Sequence, residues 1–328
     1  MKSALAVWFT VLLGVAGSGQ AAQPGSPDDS SAAYPARPIR LIIPFPPGGS
    51  NDIMGRYFAQ YLTERLGKQV VADNRPGADA IIGTEIVSRA QPDGYTLLIA
   101  SAAFAVNAAT RKVPYDPEKS FAWVGRLGYG PSVLSVGPAL KVGSAKELIA
   151  YGRANPGKLT LATSGGFAHM ASELFNHMSG MKMLVVLYKG GFPALVDVMG
   201  GQAHVNLGSL IQTLPHLKSG RLTPLATSGS RRATAAPDLP TIAEAGLTGY
   251  EANNWWAIAV PAGTPTGVVS RLSGELKRYL EQPATLKRFE AEGVEADFRA
   301  SAEMRKLIPA EMAKWREVAR VANIRTGS

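Results

Sequence analysis

An α/β protein of two lobes, with a cleft and a hinge between them, is the fold class this sequence predicts. Three observations carry that expectation. Short apolar runs alternate with amphipathic stretches over residues 39–100 and again over residues 144–208, the pattern of parallel strands with helices packed on them. The two blocks are joined twice, near Tyr129–Gly137 and near Tyr250–Val260. Helical segments without an interleaved apolar run then close the chain.

The elements follow in order. Ile39–Phe45 is an apolar run ended by Pro44, Pro46 and Pro47. Gly48-Gly49 turns the chain into a helix capped by Ser50 or Asn51, with Asp52 favoured in its first turn by the helix dipole. Met54, Phe58, Leu62 and Leu66 give that helix an apolar face, and Gly67 ends it. Gln69–Asp73 reads as a strand, Ile81–Ala90 as a helix and Thr96–Ala100 as a strand. Ser144 and Glu147 form a capping box that opens a helix to Ala154. Leu159–Thr163 and Met183–Tyr188 are strands, each followed by a helix, Ala168–Met178 and Phe192–Met199. Ala203–Gly208 and Leu222–Thr227 are weaker strands, and Pro224 puts the second at an edge. A short helix at Thr241–Ala245 and a strand at Trp255–Val260 precede the final helices Pro265–Leu280, Pro283–Glu292 and Ala302–Val321. This tail is expected to have no strand of its own and to return to the first block. Lobe 1 is then residues 34–132 and 256–328, and lobe 2 is residues 133–255.

The N-terminus reads as an address. Lys2 precedes the uncharged apolar stretch Ala4–Ala16, and Gly19-Gln20-Ala21 offers small residues at both ends of a cleavage triplet, a secretory signal pattern. Residues 1–21 are expected to be a signal peptide and residues 22–33 a flexible leader. The stretch is short for a membrane span of ~20 residues; an uncleaved anchor is the competing reading. An exported, soluble product is expected.

Composition narrows the function. Of the 328 residues, 46% are hydrophobic and 18% charged, which excludes wholesale disorder. The absence of cysteine removes disulfides, iron–sulfur clusters, cysteine zinc sites and thiol nucleophiles together. The net charge of +9 is scattered, with Arg231-Arg232 the densest pair and no basic stripe between aromatics; it reads as a surface that attracts anions, not as a nucleic-acid footprint.

Several loops are candidates for chemistry. Pro46 to Asp52 follows a strand and opens a helix, so its N–H groups can face an anion; an ordinary capped turn explains the same residues equally well. It is neither a dinucleotide fingerprint nor a Walker loop, and no cofactor motif occurs elsewhere. Ala162 to Gly166 resembles a hydrolase elbow with Ser164 as nucleophile and Asp197 with His204 or His216 behind it. That spacing is cramped and no oxyanion motif precedes it, so a hydroxyl-rich and N–H-rich pocket is the favoured reading. His169 and Glu173 are spaced i, i+4, but no third metal ligand stands at a convincing spacing, and no metal is expected. Lys189, at a strand end, serves as a counter-ion in the cleft or lies on the surface. Trp255 and Trp256 read as core.

The stretch Tyr34-Pro35, Pro38 to Arg40 and Pro44 to Asp52 closely resembles the opening of the Bug-type (TctC-like) solute receptors of tripartite tricarboxylate transporters. The likeness continues through Asn74-Arg-Pro-Gly-Ala78, Pro92-Asp-Gly-Tyr-Thr96, Tyr115-Asp116 and Asn155-Pro-Gly-Lys158. Tyr188-Lys-Gly190, Gly200-Gly-Gln202, Pro237 to Thr241 with Glu244 and Gly246, and Pro261 to Pro265 complete it. The resemblance implies a two-lobed, type II-like periplasmic binding protein that is not an enzyme. It implies a monomer that closes on a small organic carboxylate and serves the membrane components of such a transporter. A sensing subunit of a signalling system is the alternative, and a serine hydrolase using Ser164 a more distant one.

The resemblance also implies a binding site. Its first-lobe loop matches Phe45, Pro47, Gly48, Gly49, Ser50 and Asp52, with Ala100, Ser101 and Ala102 at a strand end beside it. Its second-lobe loop matches Thr163, Ser164, Gly165, Phe167 and His169, and Tyr188, Lys189, Gly190 and Gly208 complete the pocket. Four departures stand out: the 163–169 loop is two residues short with Phe167 and Ala168 for hydroxyl residues, Asp79-Ala80 replaces a Gly-Gly, Gln202-Ala-His204 replaces a Gln-Val-Asp, and Gly208 replaces a frequent Asp. These departures suggest a ligand with a less polar far half than citrate.

Overall fold

The computed structural model describes residues 34–324. The expected signal peptide and leader lie outside those residues. The described residues form ten strands in the order β2-β1-β3-β9-β4-β7-β5-β6, with β10 and β8 also paired to β4.

The organising element is β4 (Phe121–Val136). Its first part, through Pro131, pairs antiparallel with β9 (Asn253–Pro261) and with β10 (Glu295–Arg299). Its last part, Ser132–Val136, pairs with β7 (Val205–Ser209) and β8 (Thr223–Thr227). Beyond β9 lie β3 (Thr96–Ser101), β1 (Ile39–Ile43) and β2 (Val70–Asn74), the last two pairs parallel. Beyond β7 lie β5 (Thr160–Ser164) and β6 (Leu184–Tyr188), also parallel. One strand thus runs through two sheets. The second crossing lies beside it, where the Ser228 carbonyl accepts from the Ala252 amide at 2.9 Å.

Helices cover both faces of the first sheet, and β9 shows why its residues alternate. Trp256, Ile258 and Val260 face α1 (Ser50–Leu66) and α8 (Thr266–Glu281) through Met54, Phe58 and Leu272. Trp255, Ala257 and Ala259 face the other way, with α2 (Ile81–Ser88), α3 (Ala102–Thr110) and α10 (Ser301–Val321), through Val87, Phe104 and Ile308. A period-two side-chain pattern with apolar residues at every position is what a strand buried on both faces requires. Both adjacent tryptophans are therefore core. In the second sheet, α4 (Ala145–Ala154), α5 (Phe167–Ser179), α6 (Gly191–Met199) and α7 (Leu210–Lys218) follow or precede the strands. The tail packs with α8 on α1 and β4, and with α10 on α3 and β4.

The structure corrects several expectations. The tail does carry a strand, β10, between α9 (Pro283–Glu292) and α10. The joining segment near Tyr129 is the middle of a 16-residue strand. A β-carbon at Gly130 would lie 2.8 Å from the Gly293 carbonyl, so this glycine admits a neighbouring backbone. Helix α3 was not expected, and α7 was hidden by Pro215 within its last turn. Thr241–Ala245 is not a helix but a turn closed by the Ala245 amide on the Thr241 carbonyl at 2.9 Å. Pro224 sits at the sheet margin on β8, opposite Ser135 of β4.

Candidate functional site

The site is built from loops that leave the carboxyl ends of β1, β3, β5, β6 and β7. Each of these loops opens a helix: α1, α3, α5, α6 and α7. The residues that precede these helices are Gly49, Ser101, Gly166, Gly190 and Ser209, and none of them makes a side-chain cap hydrogen bond. Missing caps alone do not mark the site, since α2, α8 and α9 also lack one, whereas α4 is capped by Ser144 Oγ on the Glu147 amide at 3.2 Å; what distinguishes the site is convergence. Gly49, Ser101, Gly190 and Ser209 all line one inner cleft. Uncapped helix starts leave N–H donors free, apart from the first amide of α3, at Ala102, which Asn254 Oδ1 takes, and they carry partial positive charge. Converging on one volume, they make an anion site without a cationic side chain.

Side chains add to this. Asn51 of α1, Asn206 of β7, and Ser209 and Gln212 at the start of α7 line the same cleft. Asn51 Oδ1, Asn206 Oδ1, Ser209 Oγ and Gln212 Nε2 are buried and have no hydrogen-bond partner in the protein. A buried polar atom without a partner costs about 1–3 kcal/mol, and four in one cleft mark where a polar ligand fits. Asn206 is held by its Nδ2, which donates to the Ala162 carbonyl at 2.9 Å. Gly208 makes room for it: Asn206 Oδ1 stands where a β-carbon on residue 208 would lie. The polarity that an Asp at 208 would bring is thus partly restored by Asn206.

The structure brings together Phe45, Pro47, Gly49, Ser50 and Ser101 from the first block. It sets them against Thr163, Ser164, Gly165, Phe167, Gly190 and Gly208 from the second. Ser132 at the strand crossing and Asn254 of β9 complete the lining. The other candidates lie elsewhere. Asp52 does not line the cleft; its carboxylate accepts from the Gly48 amide at 3.0 Å, Asn74 Nδ2 at 2.9 Å and Arg56 Nε at 2.9 Å, fixing the loop's shape. Burial pushes the Asp52 carboxyl up, but these bonds from Arg56, Gly48 and Asn74 outweigh it and hold the group below the usual carboxylate range. Gly48 backs onto Phe192, 3.7 Å from where its β-carbon would be. Ala100 is sealed between β1 and β9, and the Ala102 amide is taken by Asn254 Oδ1 at 3.2 Å. His169 lies along α5 with Nε2 3.3 Å from Glu173 Oε1. Among the described residues, no group of three or more His, Asp or Glu side chains is placed to hold a metal ion.

The Ser164 constellation is not assembled. Asp197 accepts from Tyr188 O–H at 2.7 Å, His204 Nδ1 lies 2.8 Å from Thr160 Oγ1, and His216 faces Phe192 with ring centres 6.3 Å apart. Sequence reasoning missed Asn51, Ser132, Asn206, Ser209, Gln212 and Asn254. Asn206 sat in a recognised strand two residues before Gly208, which was a usable signal; Gln212 belonged to a helix that went unrecognised.

The two blocks touch across the cleft. The inner space is about 70 Å³. It shares Phe45, Pro46, Ser164, Gly165 and Gly190 with an outer chamber of about 580 Å³, which residues 76–80, Tyr188 and Lys189 also bound. Lys189 is exposed on this outer rim, the surface placement that was one of its two expected readings. Ala78, Asp79 and Ala80 have φ values of 45°, 54° and 83°, a run of left-handed residues without glycine. Each such residue costs about 1–2 kcal/mol. The Asp79 carboxylate lies where a β-carbon on Gly165 would be.

Comparison with known proteins decides the family. The model for the tripartite tricarboxylate transporter family receptor, TctC, matches residues 54–324. The chain belongs to this family. It is a solute-binding receptor by that membership. Protein BugT of Bordetella pertussis is 37% identical over 296 residues, covering 89% of this chain and 91% of the relative. An R. palustris protein solved with adipate is 33% identical with a TM-score of 0.85, covering 88% of this chain and 98% of its own. MatC from Rhodopseudomonas palustris with bound malate is 26% identical with a TM-score of 0.82, covering 87% and 99%.

Proposed function

We propose that this receptor captures a small organic carboxylate between two lobes in the periplasm and presents it to the membrane components of a tripartite tricarboxylate transporter. The observation that carries the reading is the convergence of uncapped helix starts and unpartnered polar atoms on one inner cleft. Fixed main-chain donors grip a carboxylate with defined geometry and need no buried arginine. Adipate and malate in the two solved relatives support that ligand class. No helix among the described residues is long and apolar enough to cross a membrane, which accords with a receptor that works beside its membrane partners.

Residues 34–132 with 256–328 act as one lobe and 133–255 as the other, moving about Ser132 and the Ser228–Ala252 contact. The ligand shifts the equilibrium toward closure only by its differential affinity for the closed form. The protein works as a monomer, without cofactor or metal, and returns its ligand unchanged. Phe167, buried and edge-on to Trp315 with ring centres 5.5 Å apart, gives the second-lobe side of the cleft an apolar wall. A branched or aromatic monocarboxylate suits that wall better than citrate. Isothermal titration against both classes tests this. Saturable 1:1 binding of an aromatic or branched acid is expected. Tight citrate binding with no heat from the other acids contradicts it. Recovery of the transporter's membrane components with the ligand-loaded protein separates delivery from a sensing role.

A further inference from the structure

We infer that Asp79 sets the charge tolerated at the far end of the ligand, disfavouring a second carboxylate. The inference rests on the carboxylate reading above and assigns to one side chain a role within it. A ligand whose head group lies in the inner cleft and whose chain points outward meets the outer chamber, which shares Phe45, Pro46, Ser164, Gly165 and Gly190 with that cleft. Asp79 is on the wall of that chamber and touches Gly165, just before α5 begins. It therefore places a carboxylate of the protein at the second-lobe loop, beside the helix start that would otherwise attract a ligand's second anionic group. Arg111, the nearest cation, is bound to Asp79 with Nη2 at 2.7 Å from Oδ2, while the Asp79 carbonyl accepts from Asn107 Nδ2 at 2.6 Å. The pair offsets part of the Asp79 charge, so what a ligand meets from the chamber is the Asp79 oxygens, which only accept hydrogen bonds, with Arg111 behind them and not lining the chamber. The cation that does line it is Lys189, exposed on the opposite rim.

The backbone supports a dedicated role. Residues 78–80 hold left-handed geometry that glycine would adopt without strain, yet residue 79 carries a charged side chain. A repulsive element of this kind discriminates between ligands that share the same head group. A neutral chain end, or one that donates a hydrogen bond, is compatible with Asp79; a second carboxylate meets like charge.

The test compares hexanoate with adipate, which share length and differ at one end. Isothermal titration is run on the mature chain, on Asp79→Asn and on Asp79→Gly, and the readout is the ratio of the two dissociation constants in each protein. Asn tolerates the left-handed backbone and keeps the shape; Gly relieves it, so at least one variant folds. The native protein is expected to bind hexanoate at least tenfold more tightly than adipate, and both variants to bring that ratio to threefold or less. Equal or tighter adipate binding by the native protein, or a ratio unmoved in both variants, overturns the assignment while leaving the carboxylate reading intact. No heat from either acid with any of the proteins also overturns the Asp79 assignment, and the carboxylate reading then stands or falls with the branched and aromatic acids of the titration above.

Discussion

The Ser132 amide donates to Ser228 Oγ at 2.7 Å, and the Ser228 amide donates back to the Ser132 carbonyl at 2.8 Å. These two residues stand where the chain's two crossings lie side by side. Ser132 is the point at which β4 leaves one sheet for the other. Ser228 Oγ in turn donates to the Ala252 carbonyl, just before β9. Both serines are buried. Here the backbone turns out of one sheet without leaving buried amides unpaired, which a fully apolar crossing would not achieve.

Ser228→Ala follows directly. The substitution leaves the Ser132 amide without an acceptor in a buried place, and a loss of about 1–3 kcal/mol is expected. Urea unfolding of the two proteins checks it; a midpoint unchanged within error contradicts the role given to this pair.

Asp52 makes stability depend on pH in a defined direction. Its folded pKa is held low by Arg56, Gly48 and Asn74 despite burial. Its contribution is therefore complete above the unfolded carboxylate value of about 3.9 and is lost as pH falls through the folded value. Asp52→Asn is expected to destabilise by about 1–3 kcal/mol at neutral pH and by progressively less below pH ~4. Denaturation midpoints of both proteins at neutral and acid pH measure this. A gap that widens in acid contradicts it.

A side chain at Gly165 would have to displace the Asp79 carboxylate from its place beside Arg111. Gly165→Ala is expected to fold normally and to fail to close. Small-angle scattering should show no ligand-induced compaction, and affinity for the carboxylate should fall at least tenfold. The double variant with Asp79→Gly removes the obstruction and should recover most of both. A single variant that closes and binds as the native protein does refutes the contact as a closure stop.

Much of this fold was legible where local chemistry and tertiary context agree. Ser144 caps α4 as the Ser-x-x-Glu spacing requires, although Glu147 reaches back to the Gly143 amide at 2.8 Å, one residue earlier than a standard capping box. Gly67, with φ of 65°, ends α1 where the sequence placed it. Strand β4 was not legible because its glycines answer to β10, some 165 residues later, and not to any local turn. Helix α7 was obscured by Pro215, whose neighbours still complete the turn through the Ser219 amide on the Pro215 carbonyl at 3.2 Å. The candidate loops were identified from their glycines and hydroxyls. Asn206, Gln212 and Asn254 were not, because amides on strands and helices gain significance only when the topology aims them at one cleft. Asp52 was misread for the opposite reason: a carboxylate at a helix start suggested the ligand's surroundings, and it instead holds the loop from behind.

Equilibrium dialysis of the mature chain against labelled small carboxylates, followed by chromatography of the recovered ligand, addresses the central claim most directly. One carboxylate should be retained at one molecule per chain, saturably, and come back chemically unchanged. Retention of none of them, or recovery of a converted product, would contradict a receptor that grips a carboxylate with the open ends of its helices.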